Sequence, residues 1–416
     1  MKKAEKKTPA FRIAPSPTGQ MHIGTLGMAL CNMMLAKNMG GKNYVRIEDT
    51  DQAREVEGAT ESLLKEFAFF EIKFDNEPII QSQRIEIYKK YAEKLISEGK
   101  AYRDEGAVRF KAPPKTEITW TDLIKGEMKL PGLERDPVIL KSNGYPPYNL
   151  AANVDDYLMG ITHVLRGEEW LPSTAEHIQL RHALGFGVPN YAHMPVLCVL
   201  EDGKKRKLSK RKDKQALAGY FIEQGYPKQA VIEYLLTVYN TDYELWRTDN
   251  PDKDWRDFPF RFEKIGSNSP LFDWDKLNDI SKNIIAKMSC EQINAEVKKY
   301  FGDKLTPEQY EKVFTLLAVE RGTDRPRKDI AKFSEILTEF DFIFKPVKMT
   351  PLLKKYAELV KSAKDKDQWF TACKDRAVEF GFKNVREFTQ AVRLELTGRE
   401  KSTDLYTISK LLLQDK

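Results

Sequence analysis

The strongest constraint on the fold lies in the first 50 residues, where segments of opposite conformational preference follow one another with little room between them. Residues 10–14 (AFRIA) are strand formers. Residues 15–19 (PSPTG) can extend neither a strand nor a helix, because two prolines remove backbone donors and a glycine follows. From Gly24 onward Leu26, Leu30, Met33 and Met34 recur at helical spacing, and residues 38–41 (NMGG) stop that helix. Residues 43–47 (NYVRI) form a second strand, ending in the acidic run Glu48, Asp49, Thr50, Asp51. Strand, turn, helix and strand within about 40 residues make a βαβ unit, whose crossover is right-handed and whose sheet is parallel. Ligands of such sheets bind beyond the carboxyl ends of the strands, and residues 15–24 and 48–51 both fall there.

Helical periodicity follows over 59–70 and 86–98. Residues 101–150 differ: Pro113, Pro114, Pro131, Pro137, Pro146 and Pro147 punctuate short β-like runs, which predicts an inserted subdomain. Residues 161–165 and 194–200 are apolar enough for buried strands returning to the main sheet, with a helix over 173–184 between them. After about residue 220 helical patterns dominate, including 229–239, 307–320 and 385–396. No apolar run approaches the ~18 residues of a membrane span. The four cysteines (Cys31, Cys198, Cys290, Cys373) lie far apart without a C-x-x-C pair, which argues against a disulfide scaffold or a zinc knuckle and fits a reducing compartment. The basic opening has no apolar run behind it, so no secretory signal is expected. The net charge of +6 suits a polyanionic partner without requiring one.

Three elements carry chemistry. Residues 15–24 lead into a helix N-terminus, whose free N–H groups and partial positive charge bind phosphate. There Gly24 permits close approach of a nucleotide, and His22 either donates to a phosphate oxygen or is merely a solvated loop histidine. Residues 203–214 hold eight basic residues in twelve, interrupted by Leu208 and Ser209. This is either a solvated basic loop or a lysine loop that closes over a triphosphate. Arg46–Ile47–Glu48–Asp49–Thr50–Asp51 puts carboxylates at a strand end, able to hold an amino group or magnesium, or to cap the next helix.

Together these elements resemble class I aminoacyl-tRNA synthetases, and within them the glutamyl-tRNA synthetase family. Arg12 to Gly24 (RIAPSPTGQMHIG) is similar to the family's opening with its H-I-G-H signature, and Thr25 stands where the last histidine would be. Arg46 to Asp51 (RIEDTD) resembles the segment after the first crossover helix. Val154 to Trp170 (VDDYLMGITHVLRGEEW) resembles the second-half active-site stretch, and Lys207 to Arg211 (KLSKR) the K-M-S-K-S loop. Four motifs in order over about 200 residues are a specific signal. The opening PSPTG differs from the P-E-P-N-G of glutaminyl-tRNA synthetases. The resemblance is strong over residues 9–290 and weaker over the tail.

What the resemblance implies is an α/β fold: a class I Rossmann-like parallel-sheet catalytic domain with an inserted subdomain, then an all-helical C-terminal domain. The expected divisions are 1–100 and 146–225 for the two Rossmann halves, 101–145 for a shortened insertion, 226–290 for a stem-contact region and 291–416 for anticodon binding. It implies ATP with Mg2+, L-glutamate, and both the acceptor end and the anticodon of tRNA as partners, in a cytoplasmic monomer. His22, Lys207 and Lys210 are the implied catalytic residues. Pro15, Thr18, Gly19, His22, Gly24, Thr25, Lys207, Ser209 and Lys210 would bind ATP. Arg12, Ala14, Ser16, Glu48, Tyr148 and Arg166 would bind glutamate, with Glu48 on the α-amino group and Arg12 favoured for the side-chain carboxylate. Two arginines suit a dicarboxylate because each can form a bidentate pair. Arg321, Arg325, Arg327 and Lys328 are candidates for tRNA contact. Relatives usually carry a longer, often zinc-binding insertion between the positions of Tyr102 and Val108, and this chain passes straight through. No metal ligands and no structural zinc are therefore expected. Two alternatives stand beside this reading: glutamyl transfer to a modified anticodon base by a shorter relative, and a tRNA-binding paralogue without activity. Retention of His22, Glu48, Arg166, Lys207 and Lys210 argues against the second.

Overall fold

The computed structural model describes residues 8–114 and 116–413. The opening segment folds as its pattern predicts. β1 (Ala10–Ile13) leads through the Pro15–Gly19 turn to α1 (Ile23–Asn38) and then β2 (Lys42–Ile47). β1 and β2 pair in parallel from Ala10 with Lys42 to Ile13 with Val45. α1 is apolar on nearly every side and buries Leu26, Leu30, Cys31, Met34 and Leu35, as a helix lying against a sheet must. It ends where Met39 and Gly41 donate to Leu35 and Ala36, with Gly40 at φ +64° supplying the left-handed turn.

α2 (Ala59–Phe69) follows, then β3 (Ile79–Ile80), which adds to β2 in parallel, and α3 (Ile85–Ser97). The insertion comprises β4 (Ala101–Asp104), β5 (Ala107–Phe110), β6 (Glu117–Asp122), β7 (Gly126–Pro131) and β8 (Val138–Leu140). β4, β5 and β8 form an antiparallel sheet, and β6 and β7 a separate hairpin. Its core joins Val108, Phe110 and Ile139 to Tyr88 and Leu95 of α3 and to the following helices, α4 (Tyr148–Leu158) and α5 (Thr174–Leu184). Between α4 and α5 runs β9 (His163–Gly167), which pairs in parallel with β10 (Asn190–Met194). Thr162 donates its N–H to the Ala10 carbonyl, tying the start of β9 to β1.

The expected strand over 194–200 is corrected. Pro195 ends β10 at Met194, and the chain re-forms as β11 (Cys198–Glu201), which pairs antiparallel with β12 (Lys204–Lys207). The first half of the basic run is thus strand β12 and not loop; the turn follows it.

The described residues divide into two compact units, one reaching to Phe221 and including Val231–Asp273, the other combining Ile222–Ala230 with the described residues from Trp274 onward. α6 (Ala218–Glu223), α7 (Lys228–Tyr239) and α8 (Tyr243–Asp249) lie along this stretch. The second unit contains α9 (Trp274–Lys287), α10 (Cys290–Phe301), α11 (Pro307–Ala318), α12 (Ile336–Glu339), α13 (Pro351–Ser362), α14 (Lys366–Arg376), α15 (Val385–Thr397) and α16 (Leu405–Leu413). Its core gathers Val297, Leu316, Phe333, Leu353, Tyr356, Phe388 and Leu413. Ser289 with Gln292, and Thr306 with Gln309, form capping boxes at α10 and α11, each cap contributing about 1 kcal/mol. Among the described residues no helix is long and apolar enough to cross a membrane.

Candidate active site

The loop after β1 and the ends of β2 and β9 face two adjoining cavities. The smaller, about 240 Å³, is lined by Arg12, Ala14, Pro15, Ser16, Thr18, Glu48, Tyr148 and Arg166, among others. The larger, about 490 Å³, is lined by Gly24, Thr25, Lys207, Leu208, Ser209 and Tyr239 with the Met194–Leu197 turn. His22, Thr25, Met28, Gly167, Glu169 and Lys210 line both, so the two spaces share a wall.

Charge in the smaller cavity is tightly organised. Asp156 Oδ1 accepts from Arg12 Nε at 3.0 Å and from Arg46 Nη1 at 2.7 Å. Arg46, fully buried, also donates from Nη2 to Glu48 Oε1 at 2.8 Å. Burial would raise the Asp156 carboxyl, but Arg12 and Arg46 outweigh it and hold the group well below the usual range. For Glu48 burial wins, pushing its pKa up against the pull of Arg46. A cationic substrate group would help keep Glu48 ionised. Arg166 is fixed on every side: Nη1 donates to the Tyr148 hydroxyl at 3.1 Å, Nη2 to Thr174 Oγ1 at 2.8 Å, and Nε to His193 Nε2 at 3.0 Å. Asp155 lies 4.0 Å from Arg46 Nε and accepts from Gln81, Arg84 and Tyr88.

His22 has a local role the spacing did not reveal. It is the N-cap of α1, its Nδ1 accepting from Gly24 N at 2.9 Å, while Nε2 donates to the Leu208 carbonyl at 3.1 Å. Both ring nitrogens are therefore engaged, and the imidazole ties the helix start to the lysine turn. Burial lowers its pKa, with Lys210 and Lys207 adding to the effect and the Leu208 carbonyl opposing it. A Cβ on Gly24 would lie 3.0 Å from His22 Nδ1, so this glycine makes room for the cap.

The lysine turn is anchored by Asp213, whose Oδ2 accepts from Ser209 N and Arg206 Nη1, both at 2.8 Å, and whose Oδ1 accepts from Arg206 Nη2 at 2.9 Å. Lys207 Nζ pairs with Glu169 at 2.9 Å, and Lys210 Nζ donates to the Gln20 carbonyl. Burial lowers the Lys210 pKa, Glu66 opposing it.

Pro15 and Thr18, expected at the nucleotide, line the smaller cavity, and Gly19 lines neither. In the acidic run the roles divide: Glu48 faces the cavity, whereas Asp49 accepts from Ser82 N at 2.7 Å and Ser82 Oγ at 2.6 Å before α3. Arg321 is turned inward, donating to the carbonyls of Leu317, Ile285 and Met288, and Arg327 pairs with Asp329. Arg325 and Lys328 are exposed. Sequence reasoning assigned no role to Arg46, Asp156, Glu169 or Asp213. The run from Arg46 to Glu48 and the Asp155–Asp156 pair carried the signal for a buried ion cluster. Among the described residues no group of three His, Cys, Asp or Glu side chains is placed to hold a metal ion.

Comparison with known proteins agrees with this geometry. Residues 10–107 and 105–245 match the family described as tRNA synthetases class I (E and Q), catalytic domain. The chain is 34% identical to a glutamate–tRNA ligase of Clostridium perfringens, over 97% of this chain and 92% of that one. It is also 34% identical to the glutamate–tRNA ligase of Acetivibrio thermocellus, over 97% and 91%. Both alignments extend beyond this chain's 416 residues, so those relatives hold segments absent here. A crystal structure of a glutamate tRNA ligase from Elizabethkingia meningosepticum, in complex with its amino acid, shares the fold with a TM-score of 0.80 at 24% identity, covering 98% of this chain and 97% of that one. From the βαβ opening to the lysine turn, this chain belongs to the glutamate–tRNA ligase family of class I tRNA synthetases.

Proposed function

We propose that the chain activates L-glutamate with ATP and transfers it to the 3′-terminal adenosine of tRNA(Glu), with glutamate in the smaller cavity and ATP in the larger. The observation that carries this assignment is the charge of the smaller cavity. Among its lining residues Arg12, Arg166 and Lys210 stand against Glu48 and Glu169, leaving one positive charge, and the buried Arg46–Asp156 pair beside them adds none. Glutamate, with two carboxylates and one ammonium, brings one negative charge. Glutamine brings none and would leave a guanidinium unpaired in a buried site, a large penalty.

In this arrangement Glu48 receives the α-ammonium, and Arg12 and Arg166 receive carboxylates. The α-carboxylate lies at the shared wall, beside His22 and Lys210. Its oxygen attacks the α-phosphorus of ATP and the bond to pyrophosphate breaks, giving glutamyl-adenylate. The positive end of α1 favours the phosphate charge, and Lys207 exchanges Glu169 for phosphate as charge develops on the leaving group. A hydroxyl of the terminal adenosine then attacks the glutamyl carbonyl and AMP leaves. Magnesium would arrive on the triphosphate, with phosphate oxygens as its main ligands and its charge screening theirs.

ATP–pyrophosphate exchange with glutamate, with and without tRNA, tests the reading. Glutamate-dependent exchange together with charging of tRNA(Glu) supports it. Exchange with glutamine at a comparable rate, or none with either amino acid, overturns it.

A further inference from the structure

One buried chain of polar groups lies behind Arg166 and enters none of the steps above. Asp122, at the end of hairpin strand β6, has its side chain fully buried. Its Oδ1 accepts from the backbone N–H groups of Ile124 and Lys125 at 3.0 Å each and of His193 at 3.2 Å. Its Oδ2 lies 2.5 Å from Nδ1 of His193, on β10. The other ring nitrogen of His193 receives Arg166 Nε at 3.0 Å. A guanidinium Nε–H can only donate, so Nε2 presents its lone pair and the ring proton sits on Nδ1, aimed at Asp122. The direction of every hydrogen bond from Asp122 to the cavity is therefore determined by Arg166.

We propose that Asp122 and His193 are positioning residues for glutamate recognition: Asp122 sets the tautomer of His193, and His193 holds the Arg166 guanidinium with its Nη1 edge toward the carboxylate. The inference rests on the proposed placement of glutamate beside Arg166. With Nε held by His193 and Nη2 by Thr174, the guanidinium plane is fixed, and the Tyr191 ring lies 5.3 Å from its carbon. The hydrogen left on Nη1 can meet the carboxylate only in that plane, so a small rotation costs affinity out of proportion to the movement. The inserted hairpin thus contributes to the amino-acid pocket without touching it. Leu123 N also donates to the Tyr191 carbonyl, fastening the hairpin to β10 beside the same chain.

Asp122→Asn keeps the shape and removes the charge. Its amide can donate to Nδ1 and force the proton onto Nε2, where it opposes the Arg166 N–H. We expect KM for glutamate in ATP–pyrophosphate exchange to rise about tenfold or more, with KM for ATP within about twofold of the parent. His193→Gln keeps an acceptor for Arg166 and should raise KM for glutamate less than His193→Ala. On an Arg166→Ala background Asp122→Asn should add no further change in KM for glutamate. The proposal is overturned if Asp122→Asn and His193→Ala leave KM for glutamate within twofold, if the two KM values rise together, or if Asp122→Asn and Arg166→Ala act additively. Should Asp122→Asn fail to fold, the ordering of the two His193 variants decides alone. Absence of glutamate-dependent exchange in the parent chain would instead count against the proposed function.

Discussion

Lys210 separates a catalytic lysine turn from a merely basic one. Lying at the shared wall, it reaches from the turn to the Gln20 carbonyl, whereas Lys212 pairs with Glu201. A donor that meets charge only in the transition state lowers kcat and leaves ground-state binding nearly intact, at about 3–4 kcal/mol. Lys210→Ala should therefore slow adenylate formation roughly a hundred- to a thousandfold, with KM for ATP changed less than about tenfold, while Lys212→Ala has little effect. Single-turnover activation in the presence of tRNA measures both, and equal, mild effects would leave the turn as a nonspecific patch. His22 adds a pH dependence whose sign follows from burial. Its pKa is below the ordinary 6.5, so the neutral ring that caps α1 persists to lower pH than a solvated histidine would allow. The acid limb of kcat/KM for ATP should fall with an apparent pKa below 6.5, and His22→Gln should flatten it. At this scale the resemblance placed Arg12, Glu48, Tyr148 and Arg166 around one cavity. It could not show which hydrogen bonds hold them, because Asp122, His193 and Asp156 act through partners 27 to 144 residues away in sequence.

Among the elements, the βαβ opening was legible because Pro15, Pro17 and Gly19 leave no alternative to a turn and the apolar periods on either side differ. The stretch over 194–200 was misread because an unbroken apolar run looks the same whether it is one central strand or two short pieces. Pro195, which has no N–H to give a ladder, was the available signal. The β11–β12 hairpin that results carries the lysine turn, and the Arg206–Asp213 pair closes its base. Asp213→Ala should release the Ser209 amide and let the turn wander. Adenylate formation should drop about ten- to a hundredfold, while the midpoint of urea unfolding changes little, since a half-exposed turn contributes little to global stability. A large fall in that midpoint would mean that the pair acts on the fold and not on the turn.

For the whole molecule, the catalytic unit was far more legible than the helical one. Four motifs index the first, whereas the second is specified by amphipathic stripes and caps that many helical assemblies share. The cluster Arg321, Arg325, Arg327 and Lys328 shows the difference. Charge alone made these residues equivalent, yet Arg321 closes helix-end carbonyls within its own unit. Arg321→Ala should destabilise by about 1–3 kcal/mol, through unsatisfied carbonyls, and change tRNA affinity only as far as folding is impaired. Arg325→Ala combined with Lys328→Ala should leave the melting temperature unchanged, weaken tRNA binding and reduce its salt dependence. Filter binding at two salt concentrations beside thermal melts distinguishes the two outcomes.

Arg12 and Arg46 share a single oxygen of Asp156, and Arg46 also holds Glu48. That sharing bears on how amino-acid preference could change over evolutionary time. Neutralising any one member strands at least one other charge in a buried site, so each first step toward an uncharged amino acid passes through a less stable, less active protein. A lineage could exchange one preference for the other only by altering several of these positions nearly at once. The ion cluster thus acts as a ratchet on heritable change, keeping descendants of this chain committed to an acidic amino acid even where drift reshapes the surface around it.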